Sequence, residues 1–569
     1  MDEKSRKREN AQGPEGEFPF LDSGNFPTKR EVQEVLSVSG KEQLNRILGS
    51  PDPAELVAQM PATDVFITIK ELGLPDAVDL INLATPEQII HFLDLDLWQK
   101  DRLRREGISE WLETLEACGA GKLQQVLGKA DPEFLIALLQ QCLQVSKEED
   151  REEDKGKEEE LGGFTLDRVF YVEFREAREA PLLIRILKSI NSFDPVYYQD
   201  LLDQVYSTLP AEEEEAALRW RKGRLAERGF PDFFDSLEIY RYLPVESRGA
   251  RGPSPEPVAE PSWVSPGYLE VAGRGSFLYL AAGRRLTEEQ IGRLQGEMVH
   301  LANQILVAGG ADPGEPEAIK ESTRRAFQTL DLGLRHLSGE DPDEAARILA
   351  RLPVSRIFQT GFSLGLDLKF RAEALFRQGD GFAALEGRAE FLDSPYQEMI
   401  YGLFLKQPLY FDPAAEGNYR PFLAPADLEE TAKRLAELEV LGRVLSRLPG
   451  YSAAEIKALR RRPLYQPGPT LAAVLLTGLA RWTLTGEWAP QPLSVPELEK
   501  IDRRLLDPAV PAAWFEAVQA QVGLESREEE TLLRNWLTLA LDRLAEEISR
   551  VPPDRKLDPR YVSLLLVEK

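Results

Sequence analysis

The sequence predicts a mainly α, multi-domain protein whose N-terminal part is an α-solenoid-like repeat array, with minor short strands. Three observations predict it. Helix start signals recur along the chain, each a cap residue followed by proline or by an acid or amide three positions on. Apolar residues return at helical spacing behind those starts. Two of the starts, Thr85-Pro86-Glu87-Gln88 and Asp131-Pro132-Glu133, lie 46 residues apart, and Ile89, Ile90, Phe92 and Leu93 match Leu135, Ile136, Leu138 and Leu139 in position. A repeated cap and apolar face at such a period describes units that each bury one face on a neighbour.

Taken in order, residues 1–28 mix charges with Gly and Pro and show no period, which predicts a flexible tail. Residues 29–145 form the helical-repeat domain, opened by Asp52-Pro53-Ala54-Glu55, Pro75-Asp76, Thr85-Pro86 and Asp131-Pro132. Proline is tolerated at the first helical position because its missing N–H would be unpaired there, and the nearby acids suit the helix dipole. Residues 146–163 are an acidic linker, with nine acids and four bases between 146 and 160. Residues 164–243 read as a helical domain with a short strand or hairpin, because Phe164–Phe174 is rich in aromatic and β-branched residues.

Residues 244–267 hold six prolines and are a second linker. Two helical domains follow, 268–409 and 410–569. Their starts are Thr287-Glu-Glu-Gln290, Asp341-Pro-Asp-Glu344, Ser452-Ala-Ala-Glu455, Ser494-Val-Pro-Glu497 and Ser526-Arg-Glu-Glu529. Tyr410–Leu423 carries Asp-Pro, Gly-Asn and Arg-Pro pairs between aromatics and is expected to be a long ordered loop. Residues 560–567 end the chain as either a strand or an apolar tail.

Charge narrows the function classes. The 569 residues hold 69 Lys and Arg against 96 Asp and Glu, a net charge of −27, which opposes a general binder of nucleic acid or anionic membrane. Cys118 and Cys142 are the two cysteines, without a CxxC partner or a histidine at metal-ligand spacing, as in a reducing compartment. Met1–Gln12 has no apolar core of a secretory signal. The uncharged stretch Tyr465–Ala480 contains Pro467 and Pro469 and stops at Arg481, which suits a buried helix better than a membrane span. A cytoplasmic location is the expectation.

Catalytic motifs are few. Gly361-Phe-Ser363-Leu-Gly365 matches the nucleophile elbow, but His91, His300 and His336 all precede Ser363, whereas the hydrolase order needs acid and histidine after it. A different order through His336 stays open. Gly379-Asp-Gly381-Phe-Ala-Ala384 follows a helical stretch and reads as a helix boundary, not a dinucleotide fingerprint. Gly119-Ala-Gly121-Lys122 resembles part of a P-loop, yet Leu123 replaces the Ser or Thr that would hold magnesium. No HExxH, paired Cys/His or EF-hand pattern is present, so no cofactor or metal is expected.

Carboxylate clusters supply the candidate site. Asp94, Asp96 and Asp101 flank Trp98 near a predicted helix end; a solvated terminus is the plain expectation and a hard-cation or partner site the alternative. Asp232, Asp235 and Glu238 follow Gly229-Phe230-Pro231 at i, i+3 and i+6, roughly one helix face near its positive end.

Four motifs carry a resemblance. Leu93-Asp-Leu-Asp-Leu-Trp98 with Lys100-Asp101-Arg102-Leu103, Gly229-Phe230-Pro231 with Glu238-Ile-Tyr240, Leu392-Asp-Ser-Pro395 with Gly402-Leu403 and Pro408, and Tyr419-Arg420-Pro421-Phe422 together resemble an uncharacterised bacterial domain-of-unknown-function family. The resemblance covers most of the chain from about residue 30 and implies no activity. Tyr419 and Arg420 join the candidate surface residues. Residues 50–145 also look like the helical-repeat modules at the cytosolic N-terminus of bacterial magnesium channels and in flagellar motor switch proteins. That second likeness implies a cation-sensitive acidic contact and, without membrane-spanning helices, no ion conduction.

The expected function is that of a non-enzymatic cytosolic scaffold or regulatory protein holding a protein partner on helical surfaces. The alternative is an enzyme of unfamiliar type with a carboxylate-based, metal-assisted site near Asp94–Asp101 or Asp232–Glu238. Neither the partner nor the oligomeric state is legible in the chain.

Overall fold

The computed structural model describes residues 32, 35–36, 38–148, 163–249, 276–278, 281, 286–377, 382, 389–524, 526–552 and 555–569. The expected tail, most of the acidic and proline-rich linkers, and nearly all of the GxGxxA match lie outside them. The fold is mainly α, as the periodicity predicts; its named sheets are three two-stranded ribbons. The chain divides into two compact units, Met1–Thr360 and Gly361–Lys569.

The first unit begins with a staircase of short helices: α1 (Gly40–Leu48), α2 (Pro53–Gln59), α3 (Ala62–Leu72), α4 (Val78–Leu83), α5 (Pro86–Asp96), α6 (Arg105–Ala117), α7 (Ala120–Leu127) and α8 (Pro132–Cys142). From α1 to α6, each packs on the helix two places ahead, α1 on α3, α2 on α4 and so on to α6 on α8. This is how short amphipathic helices share one continuous core. Caps form as the sequence requires at α2, where Asp52 accepts from Glu55 N at 3.1 Å, and at α5, where Thr85 and Gln88 make a reciprocal capping box. At α8 the expected cap bond is absent. The Asp131 carboxylate is committed to Arg224 instead.

Three further helices back the staircase, α9 (Ala180–Phe193), α10 (Pro195–Ser207) and α11 (Pro210–Glu227), and the short α12 (Phe233–Leu237) packs on the long helix Glu288–Ala308. Helix α11 lies against both α8 and α5, so one helix spans two repeats. Then come α13 (Glu288–Ala308), α14 (Pro316–Ser338) and α15 (Pro342–Arg351), while α16 (Val354–Arg377) carries the chain from one unit into the next.

The ribbons were anticipated only in part. Trp98–Gln99 (β1) pairs with Arg102–Leu103 (β2) directly after α5. Leu143–Lys147 (β3) pairs antiparallel with Phe170–Phe174 (β4), in register Leu143↔Phe174 to Lys147↔Phe170. Strand β4 falls in the stretch read as strand or hairpin, but its partner takes residues assigned to the end of the repeat domain and the start of the linker. Leu143 and Val145 point into the core and Gln144 outward. Five residues behind a helix of similar composition give too short an alternation to register in sequence.

The second unit holds α17 (Tyr396–Phe404), α18 (Pro425–Arg447), α19 (Ala453–Leu459), α20 (Leu471–Thr485), α21 (Val495–Ile501), α22 (Ala509–Val522) and α23 (Arg527–Ser549). Leu471–Ala480 is buried throughout, as the uncharged stretch predicts for a core helix. Among the described residues, no helix is long and apolar enough to cross a membrane. Tyr410–Phe411 (β5) and Tyr419–Arg420 (β6) close the ordered loop as a ribbon. The chain end is buried from Leu564 to Val567 and bridges Leu464 and Leu493.

Candidate functional site

Helix α5 carries two of the flagged acids, and neither is solvated. Asp94 is 2% and Asp96 5% exposed, which corrects the expectation of a water-facing helix terminus. Arg224, one turn from the end of α11, grips Asp94 with both arms of its guanidinium, Nη2 to Oδ1 at 2.7 Å and Nε to Oδ2 at 2.8 Å. Its remaining arm reaches Asp131 at the head of α8. Arg221, one turn earlier, donates Nε to the Asp94 carbonyl at 2.7 Å and lies over the Trp98 ring, 5.4 Å from its centroid. Burial pushes the Asp94 carboxyl up from its ordinary range, and Arg224 opposes the shift.

Asp96 faces a different set. Lys70 Nζ donates to its Oδ1 at 2.8 Å, Arg104 Nη2 to the same oxygen at 3.3 Å, and Trp111 Nε1 to Oδ2 at 2.7 Å. All four carboxylate oxygens of the two acids are therefore occupied by cations or an indole N–H. Trp98 is core, and Asp101 is exposed in the hairpin turn beside Lys100, whose φ is +59°. The three acids do not converge on one point.

His91, one turn before Asp94, is fully enclosed. One ring nitrogen, Nε2, shares a hydrogen bond with Thr63 Oγ1 at 3.1 Å; the other, Nδ1, has no partner among the described residues. Burial, reinforced by Arg228 and Arg224, holds its pKa well below the usual histidine range and keeps the ring neutral. Sequence reasoning missed this histidine and the three arginines. Arg221, Arg224 and Arg228, at i, i+3 and i+7 on α11 and its C-cap, are a basic stripe legible in sequence, although the acid it meets is not.

The second acidic group stays at the surface. Asp232, Asp235 and Glu238 are all exposed; Asp232 caps α12 by accepting from Phe234 N at 3.0 Å. Between them stand Phe233 and Phe234, rings edge to face at 5.6 Å, with Phe234 76% exposed. Gly229 just before them has φ +81° and its carbonyl accepts from Asn303 Nδ2 at 3.2 Å.

In the second unit, Arg420 is saturated. It donates Nε to Asp412 at 2.6 Å, a fork to Asp427 at 2.7 and 2.9 Å, and Nη1 to the Pro421 carbonyl at 3.1 Å, while stacking 4.5 Å over Tyr410. Tyr419 donates its hydroxyl to the Glu398 carbonyl at 3.1 Å. A Cβ on Gly402 would stand 2.7 Å from the Leu409 carbonyl and 2.9 Å from the Tyr419 ring. Asp393 accepts from Ala472 N at 2.7 Å and so places an acid at the positive end of α20.

These joints are the positions that carried the resemblance, and a family model for a family of unknown function, DUF6178, matches residues 22–568. The chain belongs to DUF6178. In this chain the motifs of the resemblance fall on helix caps, ion-paired corners and the close-packed Gly402. No curated protein and no solved structure matches the chain.

The remaining motif matches have structural explanations in this DUF6178 member. Gly361–Gly365 lies inside α16 with Ser363 fully buried, so the strand-turn-helix setting of a nucleophile elbow is absent. Gly119, at φ +96°, starts α7, and Lys122 Nζ donates to the Ala84 carbonyl at 2.8 Å. Among the described residues, no three His, Cys, Asp or Glu side chains are grouped to hold a metal ion.

Proposed function

We propose that this DUF6178 protein is a non-enzymatic scaffold or regulatory protein that holds a protein partner on its helical surface. The observation that carries the reading is the Phe233–Phe234 pair, with the exposed acids Asp232, Asp235 and Glu238 on and directly flanking α12. Two adjacent phenylalanines left in water are costly for the isolated chain, and an aromatic pair with a polar rim is the usual anatomy of a binding patch. The flagged acids that the fold buries, Asp94 and Asp96, are consumed in structural ion pairs. An enzyme built on them would have to strip Arg224, Lys70 and Arg104 away before a substrate or metal entered.

The test is affinity isolation of the tagged native protein from its own cells, in parallel with Phe233→Ser/Phe234→Ser. The reading expects a partner retained by the native chain and lost from the double variant. Turnover in a broad substrate screen with no partner under several conditions would reverse it.

A further inference from the structure

The chain is strongly acidic overall, yet residues 455–464 carry Lys457, Arg460, Arg461 and Arg462 against a single acid, Glu455. Helix α19 fixes this run: Ile456 and Leu459 are buried in the second unit, and the three arginines that follow are exposed. Backbone pairing brings the chain end to the same edge. Lys569 N donates to the Pro463 carbonyl at 2.8 Å and Tyr465 N to the Val567 carbonyl at 3.0 Å. Gln466 Nε2 donates to the carbonyls of Val562 at 2.7 Å and Pro559 at 3.3 Å, which sets the backbone of residues 559–562 against Gln466.

The acids at this edge are already used. Glu568 sits 4.0 Å from Arg462, and Asp558 takes the Arg560 guanidinium, with Nη2 at 2.6 Å. Arg460 and Arg461 make no ion pair among the described residues. Tyr561, 69% exposed, stands beside Arg560, whose guanidinium lies 5.9 Å from its ring centroid. In a chain with 27 surplus negative charges, two adjacent exposed guanidinium groups left without carboxylates are a concentrated reserve of fork-shaped donors.

We propose that the exposed run Arg460, Arg461 and Arg462 docks an acidic peptide segment of a protein partner. The charge balance selects this occupant over nucleic acid. A duplex presents a phosphate about every 1.7 Å along its axis and would meet the field of the whole acidic protein over a long length. A short segment with a few carboxylates needs only the local fork geometry. The proposal deepens the reading of the protein as a partner-binding scaffold, but it rests on residues of the second unit, whereas the α12 phenylalanines belong to the first.

The test is fluorescence anisotropy of a labelled short Glu-rich peptide titrated with the full-length protein at low salt. Arg460→Glu/Arg461→Glu is expected to weaken binding at least about tenfold, while the charge-matched control Arg324→Glu/Arg325→Glu, on α14, changes it less than about twofold. Thermal melts of both variants establish that each is folded. Equal affinity of the two double variants, or preference of the wild type for single-stranded DNA or anionic vesicles over the peptide, overturns the proposal. Such a failure leaves partner capture through Phe233 and Phe234 as a separate measurement.

Discussion

Arg224 of α11 and Asp94 of α5 form a two-pronged ion pair, 2.7 and 2.8 Å, across 130 residues of sequence. Because Arg224 also reaches Asp131, it ties the heads and tails of two repeats that share no such contact in the linear pattern. A buried pair of this kind contributes less than its Coulomb attraction suggests, since both ions were desolvated, but breaking half of it strands a charge. Arg224→Leu should therefore cost the first unit about 3 to 5 kcal/mol in urea unfolding. The double variant Arg224→Leu/Asp94→Leu should recover part of that loss. Additive single-variant effects would show that the two residues do not act as a pair.

Acid sensitivity follows from His91. Its pKa in the fold lies well below the ordinary 6.5 because burial, then Arg228 and Arg224, disfavour the charged ring. The unfolded chain takes up this proton first as pH falls, so stability is complete above about pH 6.5 and is lost on acidification toward the folded-state value, at up to ~1.4 kcal/mol per pH unit. His300 acts in the same direction through burial. Urea midpoints measured between about pH 7.5 and 5.5 should fall with pH in the wild type and fall less in His91→Gln. An unchanged slope in the variant would remove His91 from the account.

Close approach makes a sharper prediction in the second unit. A Cβ on Gly478 of α20 would fall inside the contact radius of the Tyr451 hydroxyl, which is itself buried without a hydrogen-bond partner among the described residues. Gly478→Ala should destabilise by at least ~2 kcal/mol through overpacking. Tyr451→Phe removes an unsatisfied hydroxyl and should be neutral or slightly stabilising. Combined with Tyr451→Phe, Gly478→Ala should cost less than alone; thermal melts of the three variants decide it.

An apolar cavity of about 40 Å³ lies among α5 to α10, lined by Leu93, Trp111, Val126, Leu135, Leu183 and their neighbours. Filling it is worth up to about 1 kcal/mol at ~24 cal/mol per Å³. Val126→Ile is expected to raise the urea midpoint by a part of that amount, and a lowered midpoint would mean that the walls leave no room for the added methylene.

The helix starts were legible because capping is local. Thr85 and Gln88, Thr287 and Gln290, and Ser452 and Glu455 all close the reciprocal bonds that their spacing announces. Asp131 carries the same signature and spends its carboxylate on Arg224 instead, since a cation delivered from a helix 93 residues away outcompetes a local amide. The candidate acids divide for the same reason. Asp232 behaves as its spacing says, whereas the burial of Asp94 and Asp96 depends on Arg224, Lys70 and Arg104, whose arrival no window of sequence around residue 94 contains.

By itself, the sequence determined that this protein is mainly helical, where most helices begin, that α20 is core, and that Tyr410–Leu423 is an ordered loop. Each rests on interactions between residues a few positions apart. Tertiary structure decided which acids are spent as internal counter-ions and which remain in water, that Leu143–Lys147 leaves the repeat to pair with Phe170–Phe174, and that Arg460 and Arg461 make no ion pair among the described residues. Desolvation is the physical reason: the cost and worth of a charge depend on what packs against it, and that is settled only when distant helices meet.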